Sequence, residues 1–145
     1  MKNLYFLIIM LLSSTFVMAQ AQPDTLIDCA RSVNKKGKMV YLKSFQTKLN
    51  TTQKYDKWPI MLNSGVKYRF FLCQNAADKP ENIELVLTDE THPENNPYGT
   101  TKKKGSFVFE CNKAGTYYVI IRYKSGVEQL ETSATAVVFY VKKNK

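Results

Sequence analysis

A chain with a single histidine has little with which to move protons near neutral pH. That residue, His92, lies between Thr91 and Pro93 in a polar stretch, and any Ser-His-Asp or Cys-His arrangement would have to use it. No G-x-S-x-G elbow accompanies it. No pattern marks a carboxylate pair for glycoside hydrolysis either. The three cysteines, Cys29, Cys73 and Cys111, are widely spaced and form no C-x-x-C, which excludes an ordinary zinc site. Acidic residues are also scarce, 12 against 21 basic, for a formal charge of +9. The basic residues are scattered, with no long basic arm and no nucleic-acid-binding motif, so a specific nucleic-acid role is not expected. The plain reading of the charge is a lysine-rich, soluble exterior.

What the chain does have begins with an address. Lys2 and Asn3 open it, Leu4 to Met18 is mostly apolar, and Ala19-Gln20-Ala21 offers small residues for cleavage after 19 or 21. The apolar run falls short of the ~20 residues that span a bilayer, so no transmembrane span is expected in the mature chain. No cysteine stands at the cleavage point to carry a lipid. The organisation expected is a signal peptide over 1–21, an N-terminal arm over 22–38 and one domain over 39–145, secreted or periplasmic. Export brings the cysteines into an oxidising compartment. Cys73 and Cys111 each end a strand-like aromatic run, FFLC and FVFEC, and are the pair expected to bridge if any does. Three buried thiols are the competing reading.

The rest reads as strands. Two stretches dominate: WPIMLNSGVKYRFFLC from Trp58 to Cys73 and SFVFECNKAGTYYVIIRY from Ser106 to Tyr123, each resembling a core hairpin. Val66, Tyr68, Phe70 and Leu72 alternate with Lys67, Arg69, Phe71 and Cys73, which gives one inward face. Ile83 to Thr88 and Ala134 to Val141 alternate in the same way. Met39 to Leu49 fits a helix or a strand by spacing, and its Tyr, Phe and Thr favour the strand. Turn signals separate the segments, so an all-β fold is expected, a single antiparallel, jelly-roll-like β-sandwich of about seven or eight strands.

Two surface features are candidate sites. Trp58 and Tyr98 flank loops and could stack on sugar rings. The stretch DETHPENNPYGTT gathers Asp89, Glu90, Glu94, Asn95 and Asn96, oxygen donors of the kind calcium takes; the same residue types also favour plain turns. The EF-hand spacing is absent, and no other cofactor is expected.

The pattern W-x-I-x-L-N-x-G-x-x-Y-R-F, then I-E-L-x-L-x-D-E, then F-x-F-x-C-x-x-x-G-T-Y-Y-V carries a resemblance that covers roughly Trp58 to Tyr123. It resembles small secreted β-sandwich proteins of Gram-negative bacteria that have no assigned activity. More distantly it is similar to bacterial pre-peptidase C-terminal domains and to GOLD domains. The matching residues are Trp58, Leu62, Gly65, Tyr68, Phe70, Leu85, Asp89, Phe107, Phe109, Gly115, Tyr117 and Val119. The resemblance implies a non-catalytic binding or interaction module whose partner is an envelope protein or a polysaccharide. A carbohydrate-binding module is the first alternative, and a small secreted hydrolase the second.

Overall fold

The computed structural model describes residues 38–74, 82–101 and 105–141. The leader over 1–21, most of the arm and Cys29 lie outside the described residues. The strands are β1 (Met39–Leu49), β2 (Tyr55–Leu62), β3 (Lys67–Gln74), β4 (Ile83–Thr88), β5 (Gly99–Thr100), β6 (Ser106–Glu110), β7 (Gly115–Tyr123) and β8 (Thr132–Val141). They form two four-stranded antiparallel sheets, ordered β1-β8-β3-β6 and β2-β7-β4-β5. This is the double-sheet arrangement of a jelly roll. The ladders nest: β1 pairs β8, β2 pairs β7, β3 pairs β6 and β4 pairs β5, as if one long antiparallel ribbon had been rolled up.

The two dominant stretches are therefore not hairpins. β2 and β3 belong to different sheets, as do β6 and β7. Each stretch is an arch that carries the chain from one sheet to the other, so both of its strands can aim an apolar face into the same core. The arches lock together. The Gly65 amide donates to the Cys111 carbonyl at 2.7 Å, and the Cys111 amide donates to the Val66 carbonyl at 3.0 Å. Gly65 has φ +76°, a backbone conformation that L side chains rarely adopt, and this permits the tight crossing.

Between the sheets lies the core predicted by alternation. Tyr68 and Phe70 from β3 face Leu85 and Leu87 from β4, with Tyr117, Val119 and Ile121 from β7 and Ala136 and Val138 from β8. Phe70 is fully buried and stacks on Phe107, ring centroids 5.0 Å apart. A Cβ on Gly99 would collide with that Phe107 ring, which is why this position in β5 carries none. β1 resolves as a strand, with Phe45 and Leu49 facing the core and a bulge between Tyr41 and Lys43. β2 begins at Tyr55, and its polar start fits an edge strand, which exposes alternate side chains to water.

Candidate functional site

The loop from Asp89 to Tyr98 joins β4 to β5 at the turning point of the rolled ribbon. One carboxylate organises its first half. Asp89 Oδ1 accepts hydrogen bonds from the Thr91 amide at 2.8 Å, the Thr91 hydroxyl at 2.8 Å and the His92 amide at 2.7 Å. Its Oδ2 accepts from the Tyr98 hydroxyl at 2.8 Å. This is an Asx turn closed by a tyrosine from the far end of the loop. The Tyr98 ring stacks on His92, centroids 3.9 Å apart, and on its other contacts meets Phe109 and Tyr117 of the core.

The electrostatics follow from those contacts. Burial alone would push the Asp89 carboxyl up, but the donors from Thr91, Tyr98 and the His92 and Thr91 amides outweigh it and hold it at about 2. Burial raises the Tyr98 and Tyr117 phenols, with Asp89 and Cys111 adding to the effect. A carboxyl whose folded value lies below its ordinary one contributes stability above that ordinary value and loses it as the pH falls through about 2. Asp89→Asn is accordingly expected to flatten the acid limb of the stability profile below about pH 4, read from urea midpoints across that range. An acid limb identical in the two proteins would show that Asp89 does not anchor the loop.

The second half of the loop folds back over the outer face of the β2-β7-β4-β5 sheet. Arg122 of β7 and Glu84 of β4 are directly opposite in the ladder. Arg122 Nε donates to Glu84 Oε1 at 3.0 Å, Nη1 to Glu94 Oε2 at 3.2 Å and Nη2 to the Glu94 carbonyl at 3.2 Å. The Thr100 hydroxyl donates to Glu84 Oε2 at 2.9 Å. Lys57 lies 3.9 Å from Glu94 and sits over the Tyr118 ring. One guanidinium thus clamps a loop carboxylate to a strand carboxylate. A hollow of about 440 Å³ beside the clamp is lined by Glu84, Glu94, Asn95, Arg122, Tyr123 and Ser125.

His92 and its neighbours do not have the geometry of a catalytic triad. His92 Nδ1 is 3.0 Å from the Thr91 hydroxyl and 3.7 Å from Asp89 Oδ1, so both neighbours crowd the same ring nitrogen. A nucleophile–histidine–carboxylate relay needs the two on opposite nitrogens. In the hollow, the two carboxylates share the Arg122 guanidinium.

The residues singled out by sequence land in different places. Trp58 is half-buried, stacked on Phe45 at 5.3 Å where β2 faces β1. Tyr98 is half-buried among His92, Phe109 and Tyr117. Each ring packs against its own aromatic neighbours. Among the calcium candidates, Asp89 is occupied by four donors and Glu94 by Arg122, while Glu90, Asn95 and Asn96 are exposed. Among the described residues, no three His, Cys, Asp or Glu side chains converge as metal ligands.

The expected Cys73–Cys111 bridge is corrected. Cys111 is a free, buried thiol in the core between the sheets, near the Lys113 carbonyl and the Tyr117 hydroxyl. Cys73 points to the opposite side of its strand, with Phe71. The aromatic context that made the two look alike says nothing about the face each occupies.

Arg122 and Glu84 were not anticipated. Their signal is one charge of each sign, each in an otherwise apolar strand, YYVIIRY and IELVL.

No family model matches the chain, and no curated protein sequence does. Among solved structures, the chain is similar to PliG of Aeromonas hydrophila, a periplasmic inhibitor of g-type lysozyme. The TM-score is 0.51 at 8% identity, over 73% of this chain and 89% of that one. At that identity the likeness is one of fold.

Proposed function

We propose that the chain is an exported, non-catalytic module that binds another protein, and that the loop from Asp89 to Tyr98 makes the contact. The observation that carries this reading is the construction of the loop. Its two ends are joined by the Asp89–Tyr98 bond and its middle is held by the Arg122 clamp on Glu94, yet Glu90, Thr91, Pro93, Asn95 and Asn96 remain exposed. A loop already ordered in the free protein loses little entropy on binding, which is what a tight protein binder needs. The crowded His92 nitrogen and the shared Glu84 and Glu94 carboxylates favour binding over hydrolysis. Separate settings for Trp58 and Tyr98 weigh against a sugar platform.

The fold of a periplasmic lysozyme inhibitor supports export, and it makes a wall-degrading enzyme the first partner to test. Binding of the purified protein to g-type and other lysozymes is measured by interferometry, with lysis of cell-wall suspensions as the activity readout. Saturable binding is expected to survive about 0.5 M salt, which screens attraction due to the net charge alone. It is expected to weaken at least about tenfold in a Glu90→Ala, Asn95→Ala variant, as hot-spot truncations do. Binding indifferent to those changes would place the contact elsewhere on the molecule. Failure with every lysozyme would remove that enzyme class as the partner.

A further inference from the structure

We infer that the protein contact extends from the loop onto the bare half of the same sheet, a strip of Tyr55, Pro59 and Met61 on β2, and that the partner presents there an apolar side chain flanked by carboxylates. This rests on the reading of the loop as a protein-binding element. The outer face of the β2-β7-β4-β5 sheet is divided. Toward β4 it is dry: Val86 and Ile120 are fully buried where the loop from Asp89 to Tyr98 folds back along the face. Toward β2 it is bare. Trp58, Ile60 and Leu62 take the core side of β2, so Tyr55, Lys57, Pro59 and Met61 fall on the other. Tyr55 is 58% and Met61 65% exposed, the two most exposed large hydrophobic side chains among the described residues. The water-facing positions of an antiparallel sheet are ordinarily polar, so an aromatic ring, a proline and a methionine in one row need an occupant.

Three features of the strip specify what covers it. Strip and loop are continuous. Tyr55 and Pro59 stand opposite Arg122 and Tyr118 of β7, and Arg122 holds Glu94 of the loop. Lys57 lies over the Tyr118 ring at 4.6 Å, with its ammonium 3.9 Å from Glu94. A protein seated on the loop therefore reaches Tyr55 and Met61, residue types concentrated at the centres of protein interfaces. Strand addition is disfavoured at this edge. A proline within a sheet stands on an edge strand with its nitrogen toward solvent, so a strand added beside Pro59 would lack a donor at its centre. Side chains make the contact. The charge beside the strip is of one sign. Glu84 and Glu94 are both held by Arg122, whereas Lys54, just before β2, and Lys124, just after β7, have no ion-pair partner among the described residues. The two lysines lie together at the Tyr55 end, where the Tyr123 amide donates to the Lys54 carbonyl at 3.4 Å. Carboxylates on the partner answer them. A second copy of this chain does not, because two-fold pairing sets strip against strip and these lysines against their own equivalents.

The probe is a library of short random peptides displayed on phage and selected on the purified protein at ~0.15 M salt, where long-range attraction is screened. The strongest are synthesised and their affinities measured by interferometry. The expected consensus places an aromatic or aliphatic residue beside Asp or Glu. Affinity is expected to fall at least about tenfold in a Tyr55→Ser, Met61→Ser variant and to survive in Tyr55→Phe, Met61→Leu, which keeps the apolar area. Both side chains are exposed, so the variants are expected to fold, and a matching urea midpoint checks it. No enriched peptide, a consensus without acidic residues, or affinity unmoved by the Ser variant would overturn the proposal. Peptides that respond to Glu90→Ala, Asn95→Ala but not to the strip variant would leave the loop reading standing and remove this one. The reverse pattern would keep the strip as the contact and remove the loop from it. A dimer in sedimentation that the Ser variant breaks would assign the strip to a second copy, and binding to phosphatidylglycerol vesicles lost in that variant would assign it to a membrane surface; either overturns the proposal.

Discussion

Phe70→Ala is expected to lower the unfolding free energy by about 3–5 kcal/mol, the usual cost of emptying a phenylalanine-sized space in a core. Three features put the effect at that end of the range. Phe70 is fully buried, it sits on one of the two inner strands of its sheet, and its ring stacks on Phe107. Phe107 in turn fills the space left by the missing Cβ of Gly99, so it cannot shift toward β5 to close the gap. Urea denaturation of the two proteins measures the difference. A loss below about 1.5 kcal/mol would mean that the sheets collapse to refill the cavity, and that the core is softer than its packing indicates.

Arg122→Met is expected to cost about 3 kcal/mol and, separately, to free the binding loop. The stability term comes from Glu84, 6% exposed and directly across the ladder, which would lose its cationic partner. A double variant, Arg122→Met with Glu84→Gln, is expected to recover most of that loss, because the amide carries no charge to strand. The loop term comes from Glu94, which loses both its side-chain and carbonyl bonds to the guanidinium. Hydrogen exchange of the loop should therefore quicken in the single and the double variant alike. Exchange restored by Glu84→Gln would show that the loop is held by the strand beneath it and not by Arg122.

Much of the architecture could be read from alternation. Val66, Tyr68, Phe70 and Leu72 declare an inward face because a strand turns successive side chains to opposite sides. That local rule says which residues face a core, but not which sheet a strand joins. Hence Trp58 to Cys73 reads equally well as a hairpin or as an arch, and only the nested pairing distinguishes them. The same limit explains the cysteines: FFLC and FVFEC look alike in one dimension, yet one thiol faces outward and the other inward. In the candidate site, Asp89 and Tyr98 stand out as residues, but their bond closes a loop nine positions long, which no short-range periodicity encodes. The Arg122–Glu84 pair is a contact across 38 positions, legible only as two unexplained charges in greasy strands.

The rolled ribbon has one more consequence. Divide the chain at the loop from Asp89 to Tyr98, and β1 to β4 fall in one half and β5 to β8 in the other. Every ladder among the described residues then joins a strand of one half to a strand of the other: β1 with β8, β2 with β7, β3 with β6 and β8, β4 with β5 and β7. Neither half can form a sheet alone, and neither is a subdomain. A protease that nicks the exposed tip would leave two interleaved peptides that come apart only by global unfolding. Their re-annealing from denaturant would be second order in concentration, like the mating of two strands of a duplex.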